Sequence, residues 1–262
     1  MQNETRPEVT LLYGMLSIPS YSGEEGPLAE YLVEQARTLG LEAHLDEAGN
    51  FIASAGPVND EQPVILLGHM DTVRGVVLLR VEDGRLYGRG AVDAKGPLAA
   101  FLCATARLAQ TGQMARPVLV IGAVEEEAAT SRGARAVVER YQPAACVIGE
   151  PSGSRAITLG YKGRLLIEGM VSRSLSHTAG PDCSSSELAA AFWERARAHS
   201  EVWNRENAGT STFAALIPSL RAINSQQDGL SEQTAFTIAY RLPPNFNITD
   251  LRARLEDWAQ EI

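Results

Sequence analysis

Three short apolar runs of this sequence each end in side chains that can bind a cation. In chain order, the runs and the side chains that follow them are 64–67 with His69 and Asp71, 117–121 with Glu125, Glu126 and Glu127, and 145–148 with Glu150. Continuous apolar runs of this length are typical of strands buried on both faces of a parallel sheet. Because the carboxyl ends of parallel strands share one edge, where such sheets bind ligands, the sequence predicts that these side chains meet there.

The acidic block 125–127 points to a bound cation. The next positively charged residue along the chain is Arg132, and adjacent carboxylates repel one another unless something positive holds them. Histidine, aspartate and glutamate together form a ligand set suited to zinc, cobalt or manganese. The sequence therefore predicts a divalent metal site at this edge of the sheet.

The residues around this site also have simpler explanations when each is taken alone. Asp93 lies in the glycine-rich segment 88–96 ahead of a helix, where it could equally cap that helix. Asp71 could orient the ring of His69 by accepting its other N–H group, or both residues could lie in a surface loop. Glu150 could be an exposed charge at a strand end. Taken together, these residues favour a metal site over the separate explanations.

The first part of the chain predicts an α/β domain. Up to about residue 150, strands alternate with helices, and this order predicts a three-layer α/β sandwich. Within it, 76–81 and 86–87 are predicted to form a hairpin around an Asp-Gly turn.

The second part of the chain predicts a smaller α+β domain. Alternating strands within 156–171 precede a helix, two further strands and a last helix. This order is one strand short of a ferredoxin-like unit. We place the boundary at Gly153, which gives domains of 1–153 and 154–262.

Charge and composition argue against several classes of function. The formal net charge is -9 and no basic run tracks phosphates, so neither nucleic acid nor an anionic membrane is an expected partner. No apolar run approaches the roughly 18 residues of a membrane span, and the first residues lack a targeting pattern, so a cytoplasmic protein is expected. Cys103, Cys146 and Cys183 are odd in number and widely spaced, which predicts reduced core thiols.

Four segments of the chain resemble, in order and spacing, the motifs of the M20 co-catalytic zinc hydrolases. They are GHMDTV at 68–73, GRGAVDAKG at 88–96, EEE at 125–127 and GEPS at 149–152. Within that family, 87–100 and 159–164 are similar to the hydrolases that release lysine or ornithine in carrier-protein-dependent biosynthesis, also described as acetyl-lysine deacetylases. The resemblance implies an αβα zinc-hydrolase catalytic domain with an inserted ferredoxin-like small domain, incomplete in this chain.

The resemblance also implies a role for each residue of the site. The implied roles are metal ligands for His69, Glu150 and Glu127, a bridge between two metals for Asp93, a general base for Glu126 and orientation of His69 for Asp71. The family's Asp-Glu-Glu motif falls on 125–127, which leads us to choose Glu126 and Glu127 from the three glutamates. The implied cofactor is one or two Zn²⁺ ions, with Co²⁺ as an alternative, and a cis peptide is implied at Asp93-Ala94.

The implied reaction is metal-dependent hydrolysis of an amide that releases lysine or ornithine from an N-acyl or carrier-protein-linked precursor. His177 would help to stabilise the oxyanion, often across a homodimer formed through the small domain. Lys162 and Arg164 would pair with a substrate carboxylate, or would be solvated strand charges. The rival hypotheses are a di- or aminopeptidase of the same family and a non-catalytic module that binds metal and dimerises.

One feature of the sequence departs from the family pattern. In the family, a segment that returns to the first domain supplies a second histidine to the second metal, and no histidine follows His199 here. Only Asp93 and Glu127 then remain for the second metal. We therefore expect a truncated form of the family. If nothing else supplies that histidine, the second metal site should be weak and activity low or absent.

Overall fold

The chain folds into two compact units. A computed structural model describes residues 6–57, 62–153, 155–175 and 182–261. The first unit ends at Ala156 and the second begins at Ile157, a few residues after the boundary predicted at Gly153. The catalytic and dimerising roles assigned to the two parts stay predictions.

The first unit combines helices with a mixed five-stranded sheet. In chain order its elements are α1 (Pro7–Ser17), α2 (Gly26–Thr38), β1 (Glu42–Leu45), β2 (Phe51–Ala55), β3 (Val64–His69), β4 (Arg80–Glu82), β5 (Arg85–Tyr87), α3 (Lys95–Gln110), β6 (Val118–Ala123), α4 (Arg132–Arg140) and β7 (Ala145–Ile148). The strand order in the sheet is β1-β2-β6-β3-β7. Strand β3 runs parallel to both β6 and β7, whereas β2 runs antiparallel to β1 and β6.

Alternating apolar side chains bury both faces of this sheet. On β2, Phe51 and Ala53 pack in one cluster with α1, α2 and α3, whereas Ile52 packs in another cluster with Val137 of α4. Successive residues of a strand point to opposite faces, so each strand contributes to both clusters. Helices therefore cover the two faces of the sheet, and the predicted three-layer α/β architecture is confirmed.

The three strands predicted to carry the site lie side by side. Their register pairs Gly68 of β3 with Gly122 of β6, and the N–H of Gly149 donates to the carbonyl oxygen of Leu67 at 2.7 Å. A Cβ at Gly122 would lie 2.8 Å from Cγ of Met70, so a glycine is needed where the strands approach the next turn. The chain leaves all three strands at the same edge of the sheet.

The second unit is a three-stranded antiparallel sheet with two helices. Its elements are β8 (Gly163–Ser174), α5 (Ser185–Asn207), β9 (Ile217–Gln227), β10 (Ser231–Leu242) and α6 (Ile248–Gln260), with strand order β8-β10-β9. Ser184 and Glu187 form a capping box that begins α5, and Asn247 caps α6. Phe192 and Tyr240 are among the side chains buried between the sheet and the helices. The order of elements agrees with the prediction, and the ferredoxin-like assignment stays a prediction.

Two predicted strands are wrong in part. The strand expected at 76–81 is confined to 80–82, and no strand covers 156–162, although both segments lie within the described residues. Val76 is 89% exposed and Leu159 is 94% exposed. A β-prone sequence forms a strand only where a partner strand and a buried face are present, and these segments have neither.

The prediction of three core thiols is also wrong in part. Cys103 is buried in α3, but Cys146 and Cys183 are exposed, and none of the three forms a disulfide among the described residues. Cys146 belongs to β7, which lies at the edge of the sheet. All four residues of this strand are exposed. An apolar pattern predicts that a segment forms a strand, but it does not reveal whether a neighbour covers that strand.

Within the described residues, no helix is both long enough and apolar enough to cross a membrane.

The close contact between Gly169 and Phe236 gives a test of the second unit. These residues are partners in register on β8 and β10, and a Cβ at Gly169 would lie 2.2 Å from the Phe236 ring. We expect Gly169→Ala to lower the free energy of unfolding by about 1–3 kcal/mol, because the overpacked ring must move. Urea unfolding followed by tryptophan fluorescence measures it, since Trp193, Trp203 and Trp258 all belong to this unit.

Gly163→Ala is the matched control on the same strand. A Cβ there would approach Leu242 no closer than 3.3 Å, which a small shift relieves. Equal losses in the two variants would contradict the overpacking explanation.

Candidate metal centre

The structure brings three of the predicted ligands into one cluster. Nε2 of His69 lies 3.1 Å from Oδ1 of Asp93, 3.5 Å from Oε1 of Glu150 and 4.0 Å from Oε2 of Glu126. One ligand atom from each of His69, Asp93 and Glu150 lies within 4.8 Å of the others. His69 ends β3, Asp93 precedes α3 and Glu150 follows β7, so residues distant in sequence meet at one edge of the sheet.

The ring of His69 is held from its other side by Asp71. Nδ1 lies 3.0 Å from the backbone oxygen of Asp71 and 3.4 Å from Oδ1 of its carboxylate, and both residues are buried. Both neighbours of Nδ1 accept hydrogen bonds, so Nδ1 carries a hydrogen and Nε2 faces the acidic cluster. This is the orientation that a metal-binding histidine requires.

The carboxylate of Asp71 also fixes the loop that follows β6. Its two oxygens accept the backbone N–H groups of Glu126 and Glu127, each at 2.9 Å, and Oδ2 accepts the hydroxyl of Ser22 at 2.7 Å. Burial alone would raise the pKa of Asp71, but its hydrogen bonds with His69, Ser22 and the two N–H groups lower it below the usual range. The group therefore stays ionised while it orients both the ring and the loop.

Glu125, the first of the three adjacent glutamates, is directed away from the cluster. Its backbone has a positive φ of 55°, and its N–H donates to Oε1 of the buried Glu25 at 2.9 Å. Its carboxylate accepts hydrogen bonds from Nε of Arg132 at 2.7 Å and from Thr130 at 2.5 Å. Arg132 therefore neutralises one glutamate of the block, and Glu126 is the one that faces His69.

The charges of the cluster shift the pKa of His69 upward. Burial alone would lower this pKa, but the hydrogen bond with Asp71 and the negative charges of Glu150, Asp71 and Glu126 raise it to about 9. The imidazole thus experiences a strong negative potential, which also attracts cations.

Two glutamates experience the same excess of negative charge. Burial, together with the charges of Glu126, Asp93 and Glu127, raises the pKa of Glu150 to about 6, although His69 acts in the opposite direction. Burial and the charges of Asp93 and Glu126 raise the pKa of Glu127. A divalent cation would relieve this repulsion, and an imidazole nitrogen grouped with carboxylate oxygens is a suitable donor set for it. The residues present therefore fit a metal ion.

The segment before α3 presents Asp93 through a tightly packed turn. Gly90 has a positive φ of 84°, and the peptide bond Asp93-Ala94 is cis, as the family resemblance implies. The side chain of Lys95 is buried, and its Nζ donates to the carbonyl oxygens of Met15 at 3.1 Å and Ile18 at 2.9 Å. Lys95 thus ties the start of α3 to the end of α1.

The sequence also predicts roles for Lys162, Arg164 and His177. Lys162 and Arg164 belong to the second unit, where Nζ of Lys162 donates to the carbonyl oxygens of Thr212 and Ala215. Arg164 is exposed on β8. His177 lies outside the described residues. Their roles stay predictions.

Three supporting residues were missed by the sequence analysis. Ser22 donates a hydrogen bond to Asp71, and Glu25 accepts the backbone N–H of Glu125. Lys95 donates to a carbonyl oxygen of α1. Ser22 and Glu25 occupy a turn and the start of a helix, where polar residues are common. The one signal in the sequence was Lys95, a cation next to the apolar start of α3.

Comparison with known proteins identifies the family. The model of Peptidase family M20/M25/M40 matches residues 65–253, which include every described member of the cluster. The chain belongs to this family.

Two named hydrolases are similar to this chain over much of its length. A LysW-lysine hydrolase of Deinococcus radiodurans is 40% identical over 238 residues, which cover 89% of this chain and 65% of the relative. A LysW-lysine/LysW-ornithine hydrolase of Saccharolobus solfataricus is 32% identical over 171 residues, which cover 64% of this chain and 46% of the relative. The chain thus spans less than two thirds of the length of these relatives.

A solved structure supports the architecture. The M20 family metallo-carboxypeptidase Sso-CP2 of Sulfolobus solfataricus superposes with a TM-score of 0.72 at 18% identity, covering 97% of this chain and 75% of that protein. At this sequence identity, the similarity is evidence for a shared fold only.

The contacts of Asp71 predict an effect on metal affinity. We expect Asp71→Asn to weaken zinc binding by about 10- to 100-fold, because the amide no longer orients His69 or accepts both loop N–H groups. Calorimetric titration with zinc measures the affinity. Asp46→Asn is the control, since Asp46 also accepts two backbone N–H groups at 2.9 Å but does so in the turn before β2. Equal zinc affinities in the two variants would show that Asp71 does not orient the ligand.

Burial of Lys95 predicts a dependence of stability on pH. Desolvation lowers the pKa of its ammonium from 10.5 to about 8 in the folded protein. Between these values the unfolded chain binds the proton more tightly, so the free energy of unfolding should rise with pH, by at most about 3 kcal/mol. Below pH 8 both states are protonated and this contribution is constant. In the Lys95→Met variant the free energy of unfolding, measured by urea unfolding followed by circular dichroism, should not rise over this pH range. If it changes with pH as in the unmodified protein, Lys95 is not the group responsible.

Proposed function

We propose that the protein hydrolyses an amide bond with the help of divalent metal held by the cluster. The observation that carries this proposal is the grouping of His69, Asp93 and Glu150 around one point, with Glu126 at its side. Membership of the M20 family supports the same reaction class.

The grouping of three side chains, together with the family resemblance, supports an assignment of the metal ligands. His69, Asp93 and Glu150 would bind one ion, and Asp93 and Glu127 would share a second. Zn²⁺, or Co²⁺ in its place, suits this mixture of imidazole and carboxylate donors. When bound, such an ion polarises the carbonyl of the substrate and makes water a better nucleophile near neutral pH.

Glu126 is the proposed general base. Its Oε2 lies 4.0 Å from Nε2 of His69, and its side chain is 47% exposed, so substrate and water can reach it. The carboxylate would accept a proton from the attacking water and return it to the leaving nitrogen. Asp71 would keep Glu126 in position through the backbone N–H group that it accepts.

The names of the relatives support lysine or ornithine linked to a carrier protein as the substrate, with a smaller N-acylated amino acid as a simpler form of it. In this proposal 1–153 carries the chemistry and 154–262 acts as a lid and dimerisation domain. Lys162, Arg164 and His177 would contribute to substrate binding and oxyanion stabilisation from that second domain. A homodimer and a cytoplasmic location, both expected from the sequence, stay predictions.

Two alternatives use the same residues. A di- or aminopeptidase would share the metal chemistry and differ in its substrate pocket. A module that only binds metal and dimerises would keep the cluster without turnover. Release of lysine from acetyl-lysine and from a lysine-bearing carrier, compared with cleavage of a dipeptide, separates these three functions.

Removal of the proposed base gives the test of mechanism. We expect Glu126→Gln to lower kcat by about 100- to 10,000-fold, because the amide cannot accept the proton of water. Zinc affinity, measured by calorimetry, should change little, since Glu126 is not assigned as a ligand.

Glu125→Gln is the matched control in the same loop. Its side chain faces Arg132 rather than His69, so this variant should retain turnover. Undiminished turnover in Glu126→Gln, or an equal loss in both variants, would overturn the assignment of Glu126.

A further inference from the structure

A cavity of about 520 Å³ adjoins the metal centre within the first unit. Asp93 and Glu127 line it, and the loop after β3 together with the segment from β5 to Asp93 forms the rest of its wall. Pockets for small ligands have volumes of roughly 300–1,000 Å³, so this one can hold part of a substrate. The proposed mechanism uses Asp93 and Glu127 and gives the other residues of this wall no role.

The wall of the cavity combines aliphatic side chains with guanidinium groups. Val73, Val77, Leu86 and Val92 supply apolar surface, and Arg85 and Arg89 supply positive charge. Val92 is 67% exposed, so its apolar surface is accessible to a ligand. The cavity therefore suits an aliphatic chain that carries a negative charge.

Arg89 is held in place against the loop that follows β3. Its Nε donates to the carbonyl oxygen of Gly75 at 2.9 Å, and a Cβ at Gly75 would lie only 3.0 Å from Nη2. Among the described residues, neither Arg89 nor Arg85 forms a salt bridge with a carboxylate. A guanidinium fixed at one nitrogen and free of an acidic partner is well suited to bind the carboxylate of a ligand.

The charge of the cavity indicates which half of the substrate enters it. In the proposed function Asp93 and Glu127 are neutralised as metal ligands, so the remaining charge of the cavity is positive. In lysine or ornithine that is acylated on its α-nitrogen, the α-carboxylate lies next to the scissile bond and the far end of the side chain is an ammonium group, which Arg85 and Arg89 would repel. The acyl half of the amide is therefore the half that fits.

We propose that this cavity is the acyl subsite and that it selects an aliphatic acyl chain ending in a carboxylate, with Arg89 as the recognition residue and Arg85 as a second cation. This inference rests on the proposed function, because it assigns the acyl half of the substrate to that site. It gives the protein a preference for amides of dicarboxylic acids over acetyl amides.

Binding of two matched acids tests the proposal directly. Glutarate and pentanoate both present one carboxylate to a metal, and they differ in whether the far end of the chain bears a second carboxylate or a methyl group. We expect zinc-loaded protein to bind glutarate at least about tenfold more tightly than pentanoate in calorimetry, because the second carboxylate gains a charged hydrogen bond. Arg89→Met should abolish most of this preference, Arg85→Met should reduce it and Arg89→Lys should restore part of it.

Arg74→Met is the matched control. Arg74 lies on the same loop and loses the same charge, but it pairs with Glu24 at 2.7 Å and does not line the cavity. Its preference for glutarate should equal that of the unmodified protein, and circular dichroism checks that every variant is folded. Equal binding of the two acids, or a preference that survives Arg89→Met, overturns the subsite.

The outcome is independent of whether the protein proves to be a hydrolase. Turnover of acyl-lysine without an Arg89-dependent preference for glutarate refutes the subsite and leaves the proposed function intact. An Arg89-dependent preference without any amide hydrolysis refutes the proposed function and retains an anion-selective cavity.

Discussion

The buried carboxylate of Asp71 is the contact on which the geometry of the site depends. It lies 3.4 Å from Nδ1 of His69, and it accepts the N–H groups of Glu126 and Glu127, which follow it by more than fifty residues. An ionised group is costly to bury, and charge-assisted hydrogen bonds to several donors offset that cost. One side chain thereby couples the end of β3 to the loop after β6, and the imidazole and the proposed base are held at a fixed separation.

The sequence predicts the scaffold of this arrangement well. Apolar runs and the glycines that follow them are local signals, and they identify β3, β6 and β7 together with the edge where these strands end. Once three parallel strands share an edge, the meeting of His69 and Glu150 follows from topology alone. The helix that begins after the glycine-rich segment adds Asp93 to the same edge.

The sequence predicts less about features that depend on distant partners. Glu125 turns away because Glu25, a hundred residues earlier, accepts its N–H and because Arg132 binds its carboxylate. No local pattern records such contacts. For the same reason the strand predicted at 76–81 begins only at residue 80, and Cys146 is exposed on an edge strand. A pattern of side chains describes what a segment tends to form, whereas burial depends on its neighbours in space.

The loop that carries Glu126 and Glu127 is anchored by its main chain, through acceptors that belong to other parts of the protein. These main-chain contacts do not involve the side chains of Glu126 and Glu127. Replacing Glu126 or Glu127 with another metal-binding side chain would change the ligands offered to a cation, while the backbone of the loop keeps its conformation. Such a separation between frame and reactive groups makes this loop a template on which evolution or engineering can vary metal preference and reactivity one residue at a time.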